Sequence, residues 1–238
     1  MFKKDNDETA TWISTTDLMS GMLVLFLFIA VLLTQKVKTI NENAIMAQRE
    51  LQNSINNEFG EKELIKYNLD NGKDLSKVGH ASFHDGESRF RQGSAIPTSD
   101  FKNELRVFLP KYLKAIKKCD DKDKDLIKEI RIEGHTSSEW HEYVSSDQAY
   151  INNMELSQAR TRAILEFALE EPSLIEYRSL IKEKLTANGL SSSKLKYKPG
   201  SNIEDKEASR RIEFRVVVND DRTIRAIREA IGIADNSK

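Results

Sequence analysis

The chain is short of the features that place many sequences quickly. It has one cysteine, Cys119, among 238 residues, which rules out an internal disulfide framework. It has no excess of either charge: 37 Lys and Arg stand against 38 Asp and Glu, for a formal net charge of -1. That balance leaves no electrostatic footprint for nucleic acid, and no direct nucleic-acid partner is expected. Its four histidines, His80, His84, His135 and His141, are scattered among acidic residues. Glu133 and His135 share a strand face, yet no pair has a metal-ligand spacing such as His-Glu-x-x-His, and Cys119 lies in a charged segment without an evident partner. No catalytic residue, resident metal or cofactor is expected, and the chain is not read as an enzyme. Long apolar runs are missing too, with one exception.

That exception extends from Trp12 to Thr34 and carries one carboxylate, Asp17, near its start; from Leu18 to Thr34 nothing is ionisable. As a helix rising 1.5 Å per residue, the run is long enough to cross a hydrocarbon core of about 30 Å. An acid inside such a span is costly and marks an ion path, a proton relay or a paired site. The alternative is that Thr15, Thr16 and Asp17 cap the helix among the lipid headgroups. Trp12 and Ile13 lie further out, and Trp favours the interface, which puts Asp17 more than one turn inside it. Lys3 and Lys4 are offset by Asp5, Asp7 and Glu8, and Leu33-Thr34-Gln35-Lys36 is no small-residue cleavage site. The run therefore reads as a retained single-pass anchor. Lysines flank it on both sides, so charge orients it weakly; the short leader favours a cytoplasmic N-terminus with the bulk outside.

The rest of the chain is polar, 32% charged with mean hydropathy -0.55. Val37, Ile40, Ala44, Ala47, Leu51 and Ser54 recur at three- and four-residue steps, a short heptad seam. Marginal by itself, beside a paired transmembrane helix it is expected to dimerise, with a solvated helical linker as the alternative. A polar connector follows, with Asn71-Gly72 as a turn signal. Phe101, Leu105, Phe108, Leu109, Tyr112, Leu113 and Ile116 then form one helical face after a capping start at Ser99-Asp100, and a charged break runs from Asp120 to Asp125. Ile130-Arg131-Ile132-Glu133 and Ile212-Glu213-Phe214-Arg215-Val216 alternate as half-buried strands, while Leu156, Ala159, Ala163, Ile164 and Phe167 give a second amphipathic helix. The expected fold class is α+β: one transmembrane helix, a short coiled coil or linker, and a two-layer α/β sandwich. The expected boundaries are 1–11 for the N-terminus, 12–34 for the span, 35–59 for the dimerising helix or linker, 60–82 for the connector and 83–219 for the domain. A tail, 220–238, carries a short helix from Arg222 to Ile231.

Three motifs occur in order: Ile130-Arg131-Ile132-Glu133-Gly134-His135-Thr136, then Asn153-Met154-Glu155-Leu156-Ser157-Gln158-Ala159-Arg160, then Ser209-Arg210-Arg211-Ile212-Glu213-Phe214. Together they resemble the peptidoglycan-binding domain of the OmpA/MotB family, and Asp17-Leu18-Met19-Ser20-Gly21 resembles the opening of the transmembrane helix in that family's ion-channel B subunits. The resemblance covers the anchor and roughly Phe83 to Val218. It implies a peptidoglycan site of Thr136, Asn153, Leu156, Arg160 and Arg211. A peptidoglycan stem presents a carboxylate and an ammonium on one diamino acid, and Arg160 can offer a planar fork to the carboxylate. The family's Asp after Gly-His-Thr, which takes the ammonium, is Ser137 here; Glu139 and Asp147 lie nearby in sequence, and Ser209 replaces the family's Asn.

The transmembrane text and the stretch Glu133 to Trp140 look closer to the B subunits of Zorya anti-phage defence systems than to flagellar stators. The resemblance implies a homodimer surrounded by five MotA-like A subunits in the bacterial inner membrane. Its C-terminal domain would be periplasmic and would hold peptidoglycan, and cytosolic defence effectors would be reached only indirectly. In that assembly Asp17 would bind and release H+, or Na+, with Thr15, Thr16 and Ser20 in support. A flagellar-type stator subunit and a passive peptidoglycan tether are the alternatives.

Overall fold

Helix α1 runs from Asp5 to Glu58, and its stretch from Thr15 to Thr39 is long and apolar enough to cross a membrane. The computed structural model describes residues 5–69, 77–84, 89–123, 126–140 and 143–219. The chain divides into two units. The first holds α1 up to Ala44, and the second extends from Ile45 to Asn219. The Asn71-Gly72 turn, His141 and the helix expected from Arg222 to Ile231 lie outside the described residues.

In the second unit the end of α1 is followed by α2 (Glu61–Lys66), β1 (Ala81–His84), α3 (Ser99–Lys122), β2 (Ile127–His135) and α4 (Ser146–Glu170). A 3-10 turn (Pro172–Tyr177), α5 (Arg178–Lys184), β3 (Leu185–Gly189), α6 (Lys206–Ser209) and β4 (Arg211–Val218) complete it. The four strands form one mixed sheet in the order β1-β4-β2-β3. Only the β2–β3 pair is parallel. A parallel pair needs a crossover, and α4, the 3-10 turn and α5 supply it.

Alternation divides the sheet into two faces. Ile130, Ile132, Ile212 and Phe214 are buried with the apolar residues of α3. Phe108 lies at the centre of this core, its ring 5.0 Å from Tyr67, 4.9 Å from Phe83 and 5.3 Å from Phe214. The other face carries Glu133, His135, Arg211 and Glu213, and these polar side chains are buried as well.

The expected α/β domain is therefore present, with differences that have local causes. Leu51 and Ser54, expected on a seam towards a second copy, are buried within the chain's own unit, and the Ser54 hydroxyl donates to the Ala115 carbonyl at 3.0 Å. The charged break begins later than expected, because α3 continues to Lys122 and buries Asp120 against Lys184. The N-cap of α3 is Thr98, whose hydroxyl accepts from the Phe101 amide. Helix α4 starts at Ser146, capped by Ser145, which leaves Asn153 two turns inside the helix.

Candidate functional site

The peptidoglycan-motif residues come from the end of β2, the middle of α4 and the start of β4. Close packing of α4 on the sheet sets their positions. A Cβ on Gly134 would lie 2.7 Å from the Ser157 carbonyl, and one on Gly189 would lie 2.5 Å from the Gln158 amide nitrogen. Ser157 and Gln158 then lock the helix register: Ser157 Oγ accepts from the Ser191 amide, and Gln158 Oε1 accepts from the Gly189 amide.

Asn153 is buried, and its side-chain amide donates to the Ser137 carbonyl at 3.2 Å and the Glu139 carbonyl at 3.1 Å. It thereby shapes the loop that follows Thr136. The Thr136 amide donates to the Ser191 carbonyl, while its buried hydroxyl has no hydrogen-bond partner among the described residues. Arg160, two turns further along α4, is buried; its Nε donates to the Ser94 carbonyl at 2.9 Å and its guanidinium lies 4.8 Å from the centre of the Phe90 ring. Leu156 is half-buried and stands outside the main apolar cluster. Ser137 is buried, and the next residue, Ser138, donates from its amide and its hydroxyl to Glu204. Glu139 pairs with Lys206. Asp147 lies in the first turn of α4.

Arg211 belongs to a different set of contacts. It is buried, its Nε donates to Glu213 Oε1 at 2.6 Å, and its Nη1 donates to the carbonyls of Lys194 and Ser209. On the same sheet face Glu133 stands directly opposite Glu213, and His135 directly opposite Arg211. His80, held just before β1, points Nε2 at Glu213 Oε2 from 3.1 Å. His135 Nε2 lies 3.4 Å from that same oxygen and 3.8 Å from Glu133 Oε2. Arg215 reaches both carboxylates at 3.8 Å. Burial pushes the Glu213 carboxyl up, but His135, His80 and the Arg211 guanidinium outweigh it and hold that group well below the usual carboxylate range. Glu133 is likewise raised by burial and lowered, on balance, by His135 and Arg215.

One ligand atom from each of Glu133, His135 and Glu213 falls within 4.8 Å of the others, a grouping that could hold a metal ion. Sequence spacing missed it, because strand pairing joins positions about 80 residues apart, and the only local signal was Glu133 and His135 on one strand face.

Asp17, Thr15, Thr16 and Ser20 lie on α1 in the first unit, and all four are exposed along the helix. The Ser20 hydroxyl donates to the Thr16 carbonyl at 2.8 Å. Gly21, one turn after Asp17, has open space where a Cβ would stand.

No family model matches the chain. It is 35% identical over 233 residues, 94% of either chain, to the Zorya protein ZorB of Escherichia coli strain Crooks. A second Zorya protein ZorB, from Escherichia coli O139:H28, is 26% identical over 226 residues, 90% of this chain and 82% of the relative. Among solved structures, a MotB-like protein from Desulfovibrio vulgaris is 20% identical with a TM-score of 0.45, covering 75% of this chain and 99% of that one. The cell wall anchor of the T6SS from Pseudomonas aeruginosa gives 19% identity and a TM-score of 0.35 over 58% of this chain and 80% of its own. The periplasmic domain of Helicobacter pylori MotB gives 17% and 0.38 over 64% of this chain and 85% of its own.

Proposed function

The chain belongs to the family of Zorya ZorB proteins, and on that premise we propose that it is the B subunit of a stator-like motor in the inner membrane that serves anti-phage defence. Its N-terminus is cytoplasmic, its folded unit is periplasmic and holds peptidoglycan, and its partners are a second copy and a ring of MotA-like A subunits. The cargo is H+ or Na+.

One observation carries this reading: a single apolar span of 25 residues, with one acid, leads into a folded unit bearing the wall-binding motifs. At 1.5 Å per residue the span reaches about 37 Å, enough to cross the hydrocarbon with some tilt. A lone carboxylate within it is tolerated where a protein neighbour or a water-filled path supplies a partner. Ser20 and Gly21 follow Asp17 by three and four positions, so small side chains share its side of the helix and let a neighbouring helix approach closely. The Thr136 hydroxyl, buried and without a hydrogen-bond partner among the described residues, supports the wall-binding half, because a ligand group there would complete its hydrogen bonding.

In this mechanism Asp17 takes an ion from one side, is neutralised, and lets the surrounding ring step past before it releases the ion. The test is Asp17→Asn in the complex with its A subunit. Proton flux into liposomes and phage protection should be lost while assembly persists. Full flux and protection in that variant overturn the transport reading and leave a passive anchor.

A further inference from the structure

We propose that Glu133, His135 and Glu213, completed by His80, form a structural binding site for a divalent transition ion of the Zn2+ class. This site is separate from the peptidoglycan motifs on α4 and does not depend on ion transport by Asp17.

The donor set is two imidazoles and two carboxylates, the chemistry that suits Zn2+. Metal–ligand bonds of about 2.0–2.1 Å in a tetrahedron place neighbouring donors about 3.4 Å apart. The three contacts here bracket that spacing: 3.1 Å from His80 Nε2 to Glu213 Oε2, 3.4 Å from His135 Nε2 to the same oxygen, and 3.8 Å from His135 Nε2 to Glu133 Oε2. Glu133, His135 and Glu213 thus offer donor atoms that all lie within 4.8 Å of one another, and His80 joins them through its approach to Glu213 Oε2.

A second observation points to a ligand. His135 is 3% exposed, yet neither ring nitrogen makes a hydrogen bond among the described residues, and the His80 Nε2 atom is buried and unbonded as well. Both imidazoles face carboxylate oxygens at charge-pairing distance without the alignment of a hydrogen bond. A metal ion taking one lone pair from each ring would satisfy His80 Nε2 and His135 Nε2 together.

The surroundings are divided in a way that leaves room for the ion. Arg211 binds Glu213 through Oε1, so Oε2 is the oxygen turned towards both imidazoles, and Arg211 supports the ligand from behind. Arg215 contacts the carboxylates only at 3.8 Å and is half exposed, free to swing into water when a dication enters. His80 is held in place by its neighbours. Gly79 adopts φ +69, close to Val216, and its carbonyl accepts from the Tyr112 hydroxyl at 2.6 Å. His80 also borders a surface cleft lined by Glu61, Leu64, Asn68 and Lys77. Bound there, the ion would fasten the turn before β1 to the two central strands.

The experiment uses the purified full-length chain in detergent, stripped with a chelator and titrated with Zn2+ alone against a chromophoric competitor. One equivalent should bind per chain, the thermal midpoint of unfolding should rise with Zn2+ concentration, and X-ray absorption should report imidazole ligands at about 2.0–2.1 Å. His80→Ala and His135→Asn should each weaken binding at least tenfold. His84→Ala, whose ring contacts Asn68 outside the cluster, should leave it unchanged. A folded wild-type chain that takes up no stoichiometric Zn2+ overturns the proposal. So does binding that His80→Ala and His135→Asn leave intact.

Discussion

Glu133 and Glu213 face each other directly across the β2–β4 pair, both buried. Like charges directly opposite in a sheet repel, and removing them from water adds a desolvation cost. The arrangement persists because Arg211, Arg215, His80 and His135 converge on the same two carboxylates.

Replacing Glu213 with Gln leaves the Arg211 guanidinium buried without its anion, which should cost about 3–5 kcal/mol at neutral pH. The pH dependence follows from the lowered carboxyl. Above its ordinary value of 4.5 the group is ionised in the folded and unfolded chains alike, and its contribution is complete. As the pH falls below that value the unfolded chain takes up a proton that the folded chain resists, so stability drops. The gap between wild type and Glu213→Gln should therefore narrow from about pH 5 to pH 3 in urea titrations. A gap that widens on acidification would mean that the carboxylate is not held by its cationic neighbours.

Gly189→Ala should destabilise the second unit by about 1–3 kcal/mol, because its Cβ would meet the backbone of Gln158 at 2.5 and 2.7 Å. Helix α4 must shift to relieve the contact, which displaces Asn153 and Arg160 together. Thermal unfolding should fall and peptidoglycan binding should fall with it. Gly60→Ala, where the nearest atom is 3.9 Å away at the end of a glutamate side chain, should change stability by less than about 0.5 kcal/mol.

Leu51→Ala tests what the end of α1 packs against. Leu51 is fully buried beside Ile55 in the domain's own core, so the truncation should cost about 2–5 kcal/mol in urea titration. The oligomeric state measured by light scattering should stay the same. A loss of dimer with unchanged unfolding would show that the heptad pattern reports a partner copy and not the chain's own core.

That residue also shows where sequence reading reaches its limit. A three- and four-residue spacing says that one helix face is buried but not against what, and here Leu51 is buried in the chain's own core and Ser54 bonds to α3 of the same chain. The strongly periodic elements α3, β2 and β4 were legible because each carries several turns or alternations of apolar residues. Helix α4 was legible as a helix, but it buries Ala149, Asn153, Ser157, Arg160, Thr161, Ile164 and Ala168, so of the expected face only Ile164 is buried. Strand β3 was not: Leu185-Thr186-Ala187-Asn188-Gly189 is short, half-buried and continuous with α5, with no turn residue between them. Ser145 caps α4, and Asn153, two turns inside it, turns its amide to the loop carbonyls of Ser137 and Glu139, a role no local pattern announces. The His80–Glu213 contact joins residues on different elements, and no local pattern encodes it.

Arg160 is the residue on which the proposed wall binding can be tested. Its guanidinium is stacked on Phe90 and tied through Nε to the Ser94 carbonyl, so the plane of the fork is fixed before any ligand arrives. Lysine keeps the charge but has neither the plane nor the two parallel donors that match a carboxylate. In pull-downs of the full chain with purified sacculi, Arg160→Ala should abolish enrichment and Arg160→Lys should reduce it at least about tenfold, the scale of one lost bidentate charge-assisted contact. A purely structural tie behaves differently. It lowers the unfolding midpoint of Arg160→Lys in proportion to the binding lost, and binding returns when the assay is run at a temperature where the variant is fully folded. Enrichment that stays low in a fully folded Arg160→Lys chain assigns the guanidinium to the ligand; enrichment that recovers assigns it to the packing of α4.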